Sequence, residues 1–309
     1  MLAFTLKRLS LAVLVALAVS ALAFLLLLRA SGDVAIALAG EGARAEDIEN
    51  MRHIYGLDRP LLLQFVDMLA KMLQGDFGQS LYFKTDVLGL VLDKLPTTVI
   101  LAVSSLVFAL AVSLPLGMLA ALHPNSWIDR LCLVLAVIGQ ALPNFFFALI
   151  LIMVLAVTFQ LLPVSGSESW ANFVMPTIAL GYYVAPAFMR LVRAGMIEVL
   201  ASDYMRTARA MGLSRMNVVL KQALRNALVP VVALAAVQLG FLLGGSVVIE
   251  TIYALDGLGY LAYQSISHLD LPVTQAIVVL LSFMYVGLTL VADLANAWLD
   301  PQLRLGTAR

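Results

Sequence analysis

Asp203-Tyr204-Met205-Arg206-Thr207-Ala208-Arg209-Ala210-Met211-Gly212-Leu213-Ser214-Arg215, closing at Leu224-Arg225-Asn226-Ala227-Leu228-Val229-Pro230, is a basic stretch held between apolar ones. Tyr204 to Met211 is rich in helix formers. Gly212 offers a stop in the left-handed conformation. Ser214 is placed to cap a following helix through Asn217 to Leu224, and Pro230 starts or kinks the next apolar run. The pattern predicts helix, turn, helix, lying on a membrane surface. Its arginines have two readings: anchoring to anionic lipid, or a short helix presented to a groove of a partner protein.

The surroundings read as membrane. Of 309 residues, 62% are hydrophobic and only 12% charged, against about 25% charged in a soluble domain. The formal net charge is zero, which gives no electrostatic case for a nucleic-acid partner. The single cysteine, Cys132, excludes an internal disulfide and a multi-cysteine metal site. His53, His123 and His268 lie far apart with no ligand spacing, so no metal site is expected.

Apolar runs of spanning length cover 9–28, 97–122, 131–162, 174–197, 227–249 and 273–298. The first follows Lys7 and Arg8 and exceeds the length of a secretory apolar core, so it reads as a retained span. Six helices put both termini on one side. The loops at 163–173 and 250–272 hold no Lys or Arg, while Arg130, Arg190, Arg193, Arg206, Arg209, Arg215, Lys221, Arg225 and Arg304 mark the other side. By the positive-inside rule the termini and the 203–226 segment face the cytoplasm. The expected organisation is an N-terminal span within 1–28, an external segment over 29–96, a five-helix core over 97–298 that includes a cytoplasmic segment 198–226, and a tail over 299–309. The external segment contains amphipathic pieces at 45–55 and 60–73, and Gly75-Asp76-Phe77-Gly78 reads as a turn.

Helix breakers sit inside several runs: Pro115, Gly117, Gly139, Pro143, Gly181, Pro186, Gly240, Gly244 and Gly245. They are tolerated where neighbouring helices or a wet cavity satisfy the backbone, or where backbones approach closely. Polar or small residues at membrane depth, Gln140, Asn144, Gln238, Gly244 and Gly245, are the candidate translocation-pathway positions, with helix packing as the alternative for each. The chain has no Gly-Lys dipeptide, hence no phosphate-binding P-loop, and neither a His-Glu-x-x-His run nor a Gly-x-Ser-x-Gly elbow. No catalytic residues are expected. Ionisable residues are nearly missing from the span interiors, which argues against ion coupling. A self-sufficient carrier or channel, or a membrane enzyme of unfamiliar constellation, stays open on the residues alone.

Four motifs, in order along nearly the whole chain, carry a resemblance. They are Tyr55-Gly56-Leu57-Asp58-Arg59-Pro60-Leu61 with Gly75-Asp76-Phe77-Gly78 and Ser80-Leu81; the 204–212 stretch with Leu224-Arg225-Asn226-Ala227 and Pro230; Leu242-Leu243-Gly244-Gly245-Ser246-Val247-Val248-Ile249-Glu250-Thr251 with Gly257-Leu258-Gly259; and Leu299-Asp300-Pro301-Gln302-Leu303-Arg304. The sequence resembles the inner-membrane permease subunits of ATP-binding-cassette importers, in the dipeptide/oligopeptide/nickel branch. The general importer motif begins Glu-Ala-Ala and places a glycine four residues after the second alanine. With Gly212 as that glycine, Arg206, Thr207 and Ala208 occupy those places. The glutamate is missing, a departure that the peptide branch shares.

The resemblance implies an all-α, six-helix type I importer permease in the bacterial inner membrane. It also implies a coupling helix formed by Tyr204, Arg206, Thr207, Ala208, Arg209, Ala210, Gly212 and Leu213, docked on an ATPase. The implied partners are a second homologous permease, two ATP-binding cassette subunits that bind ATP and Mg, and an external substrate-binding protein. This chain would bind no cofactor itself. The implied cargo is a short peptide, with glutathione, nickel chelates, opines or oligosaccharides as branches.

Overall fold

The computed structural model describes residues 2–30, 35–36, 42–54, 56 and 58–299. Tyr55, Leu57 and the 300–304 part of the terminal motif lie outside them, as do the side chains of Arg209, Arg215 and Asp293. The described chain is helical; one isolated bridge, Gln79 to Asp86, is its only extended pairing.

A long apolar helix α1 (Leu2–Ala30) is followed by two short helices, α2 (Ala45–Ile54) and α3 (Leu61–Leu73). These match the amphipathic pieces expected in the 29–96 segment. The turn after α3 forms as expected, with Gly75 and Gly78 at φ +82° and +77°. Asp86 then caps α4 (Val87–Leu122), its carboxylate accepting from the Gly89 N–H at 2.7 Å. α4 starts ten residues before the apolar run does, because the cap fixes its origin at the turn.

The third apolar run is not one helix. It divides into α5 (Trp127–Ala141) and α6 (Asn144–Leu151), which continues as a π-helical turn over Ile152–Thr158. The two halves meet at 97°. Pro143 explains the break: it supplies no N–H and drives Leu142 to an extended conformation, ψ 127°. The Tyr182 hydroxyl donates to the freed Leu142 carbonyl at 2.6 Å.

Next come α7 (Trp170–Ala201), α8 (Asp203–Ala210) and α9 (Arg215–Asn217). A π turn over Val218–Ala223 leads from α9 into α10 (Leu224–Tyr253). α11 (Leu258–Ser267) and α12 (Leu271–Leu299) complete the described chain.

Among the described residues, α1, α4, the unit Val218–Tyr253 and α12 are long and apolar enough to cross a membrane. The bent α5–α6 pair is apolar enough for a fifth when its two halves are taken together as one broken span. The run expected to span at 174–197 lies within α7, which has the length, at 32 residues, but carries Asn172, Arg190, Arg193 and Glu198. Its position accounts for Asn172 and Arg193, which are bonded to protein groups, while Arg190 and Glu198 are exposed. α7 is the central helix, packed most extensively on α4 and also against α10, α5 and α6. Met175, Phe188, Val192 and Met196 are fully or almost fully enclosed. A helix surrounded by protein has less need of an apolar surface than one facing lipid. At the other side of the bundle α12 packs on α10, and α1 packs on α12.

Two of the breaker glycines set the α4–α7 contact. A Cβ on Gly181 would stand 2.6 Å from the Ser105 carbonyl oxygen, and one on Gly117 2.8 Å from that of Met189. No side chain fits at those crossings, so small residues there let the backbones touch.

Candidate functional site

α7 ends at Ser202, whose backbone turns extended (ψ 154°), and α8 begins at once. The eight residues of α8 divide cleanly. Met205 and Ala208, three apart on one face, are buried; Met205 packs with Val218 and Val219 of the π turn. Tyr204, Arg206, Thr207, Ala210 and Met211 are exposed. Arg206 pairs with Asp203 at 3.1 Å, one turn back, and the Thr207 hydroxyl donates to the Asp203 carbonyl. The Tyr204 hydroxyl donates to the Gln222 side chain, tying α8 to the π turn.

Gly212 terminates the helix as the sequence predicts. Its φ is +77°, and the Leu213 N–H reaches back to the Ala208 carbonyl at 3.4 Å. This is the six-to-one C-terminal closure of a helix on a left-handed residue. A Cβ at Gly212 would meet nothing within 4 Å, so backbone conformation alone demands the glycine there. Ser214 caps the next turn, accepting from the Asn217 N–H at 3.4 Å. Leu213 is exposed. Thus α8 is a seated, outward-facing helix, attached at one end to α7 and at the other, through α9 and π-helical backbone of a kind frequent at functional sites, to α10.

A second arrangement fixes α7 just before this segment. The Arg193 guanidinium donates from Nε to Asp129 Oδ1 at 2.6 Å and from Nη2 to Oδ2 at 2.7 Å. Asp129 also accepts from the Asn125 N–H at 3.0 Å, and its own N–H donates to the Ser126 hydroxyl. The α4–α5 turn is therefore bolted to α7. Sequence reading counted Arg193 as a topology marker and passed over Asp129. The Ser126-x-x-Asp129 spacing of a helix start was the available signal.

The pathway candidates are dispersed in role. Gln140 is exposed and accepts from Arg190 at 2.9 Å, so its polarity serves the α5–α7 contact. Asn144 accepts from the adjacent Phe145 N–H at the start of α6. Gln238 is half-buried on α10. A Cβ on Gly244 would stand in open space, whereas one on Gly245 would touch the Phe241 ring at 3.7 Å. An open cleft of about 360 Å³ lies between α4, α10 and α12, lined by Val99, Val103, Leu239, Leu243, Met284, Gly287 and Leu288. None of the five candidates lines it.

Comparison with known proteins bears on what such a bundle is. Residues 113–305 match the family described as binding-protein-dependent transport system inner membrane component, and residues 1–102 match its N-terminal companion. The chain belongs to this family of importer permeases. It is 40% identical over 304 residues to the glutathione transport system permease protein GsiC of Escherichia coli (strain K12), covering 98% of this chain and 99% of that protein. The Salmonella typhimurium (strain LT2) protein of the same name is 39% identical over equal coverage. Among solved structures, an inward-facing form of the MetNI methionine ABC transporter shares the fold, with TM-score 0.56, 22% identity, and coverage of 68% of this chain and 96% of that one. The permease is a multi-pass inner-membrane subunit of a binding-protein-dependent ABC importer, in the dipeptide/oligopeptide/nickel branch. Its family works with ATPase and substrate-binding partners and is not itself an ATPase family.

Proposed function

We propose that this permease forms half of a translocation pathway for short peptides, and that ATP hydrolysis on separate subunits drives it through α8. The observation that carries this is the construction of 203–212: an exposed helix seated on Met205 and Ala208, stopped by Gly212, joined directly to α7 and, through α9 and the π turn, to α10. A push on such a helix reaches two long helices at once. The chain has no P-loop of its own. Two ATP-binding cassette subunits carry ATP and Mg; a second homologous permease supplies the other half, and an external binding protein delivers cargo. Both termini and α8 face the cytoplasm, with the 29–96 segment outside. Glutathione is the first cargo to test, since the GsiC relatives are similar over nearly the full length.

The test is reconstitution of the complex in vesicles with the cognate binding protein and labelled glutathione or a mixed dipeptide pool. ATP-dependent uptake by the complex, none by this chain alone, and no ATPase activity of this chain alone are expected. Gradient-driven uptake by the single subunit would overturn the reading.

A further inference from the structure

α11 is flanked by two residues whose carboxylates have no solvent exposure, Glu250 and Asp270. At its start, Glu250 Oε2 accepts from the Gly259 N–H at 2.7 Å and the Tyr260 N–H at 3.1 Å, while Oε1 accepts from the Thr98 hydroxyl at 2.9 Å. The Thr98 oxygen accepts in turn from the Leu258 N–H at 2.8 Å. The first three N–H groups of α11 are thereby satisfied, and a negative charge meets the positive end of the helix. A Cβ on Gly257 would lie 2.4 Å from Glu250 Oε2, and one on Gly259 2.6 Å from the Val247 Cα. Glycine is what lets the carboxylate in.

At the far end, the Asp270 N–H donates to the Ser265 carbonyl at 2.7 Å. Its carboxylate accepts from the Ser80 hydroxyl, from the Leu81 N–H at 3.2 Å and from the Tyr82 N–H at 3.1 Å. The Tyr82 ring lies 3.8 Å from that of His268. No ion pair among the described residues includes Glu250 or Asp270. A buried charge without a counterion persists only where hydrogen bonds replace its water, so each carboxylate depends on the full set of donors around it. The contacts join four pieces: the 77–86 strap, α11, the last turn of α10, and α4. α10 is also the helix that starts beside α8. Its 30 residues reach about 45 Å, with Pro230 in its second turn.

We infer that Glu250 and Asp270 are positioning residues for substrate entry. They fasten the strap and α11 into one outer cap that bridges α10 and α4, so that movement imposed at α8 and carried by α10 displaces the cap as a single body. This rests on the importer reading and its sidedness, which are checked first by uptake through the unaltered complex.

The experiment uses the assembled transporter in nanodiscs with the cognate binding protein as purified. Glu250→Gln and Asp270→Asn keep shape but replace one acceptor oxygen with an NH2 group that cannot accept from the surrounding donors. Each is expected to leave complex yield and basal ATP hydrolysis within twofold, while stimulation by the binding protein falls at least tenfold. Stimulation within twofold of the unaltered complex would overturn the inference, as would equal loss of basal and stimulated activity. A second measurement leaves both carboxylates in place. Tyr82→Cys with His268→Cys, in a Cys132→Ala background, is joined by a short bis-methanethiosulfonate. If the cap moves as one body, the joined protein retains at least half of its stimulated activity. If joining abolishes activity that the unjoined protein has, the cap must come apart and the inference fails.

Discussion

Arg193 and Asp129 meet in a two-point ion pair, 2.6 and 2.7 Å, with the Asp129 side chain 3% exposed and that of Arg193 24%. The pair joins the first turn of α5 to the C-terminal part of α7, ten residues before α8 begins. Removing one partner strands the other. Arg193→Ala or Asp129→Ala is expected to destabilise the protein by about 3–5 kcal/mol, the cost of an uncompensated buried charge. Arg193→Lys should lie between, since a point charge does not reproduce the fork. Thermal unfolding of the detergent-solubilised complex measures this; unchanged melting of Asp129→Ala would refute it.

Gly212 separates conformation from bulk. Because a Cβ there meets nothing, Gly212→Ala carries only the left-handed penalty, about 1–2 kcal/mol locally. Gly212→Val should unwind the end of α8, leaving insertion intact and reducing uptake at least tenfold. Deletion of 204–212 should abolish it. Membrane fractionation alongside uptake reads both effects, and normal uptake by the deletion would defeat the coupling role.

Gly181 and Gly117 test the α4–α7 crossing. Leucine at either position forces side-chain atoms into a backbone carbonyl and is expected to cost at least about 1–3 kcal/mol, the range for overpacking. Gly244→Ala is the matched control, since space is open there, and should melt within a degree or two of the parent. Equal effects at all three positions would show that the crossing is not close-packed.

Cys132 offers a probe without mutation. It is 4% exposed among Ala120, Ala136 and Met189. A membrane-permeant maleimide should label it slowly in the native protein and at least a hundredfold faster after denaturation. Fast labelling of the native protein would mean that α5 separates readily from α4 and α7.

Local signals in the sequence were strong where one residue decides the conformation. Gly212 and Ser214 announced the end of α8 and the cap beyond it, and the Gly75–Gly78 turn formed where expected. Apolar length located most spans. It erred in shape at 131–162, where Pro143 breaks one run into two helices at 97°, and it gave no hint that α7 occupies the middle. The contacts of Asp129, Thr98, Glu250 and Asp270 were illegible for another reason. Each joins residues distant in the chain, up to 190 apart for Ser80 and Asp270, and single-sequence periodicity carries no information at that separation. The pathway candidates suffered similarly: polarity at membrane depth marked Gln140, but only the fold reveals that Arg190 engages it.

The cleft between α4, α10 and α12 has a consequence for whatever passes through the membrane here. Its seven lining residues are aliphatic, methionine or glycine. A peptide stripped of water inside it would find no side-chain group to replace the lost hydration, at roughly 2–7 kcal/mol for each amide left unmet. Such a surface grips hydrocarbon and repels dissolved cargo. This cleft is better suited to a greasy neighbour than to a dissolved traveller.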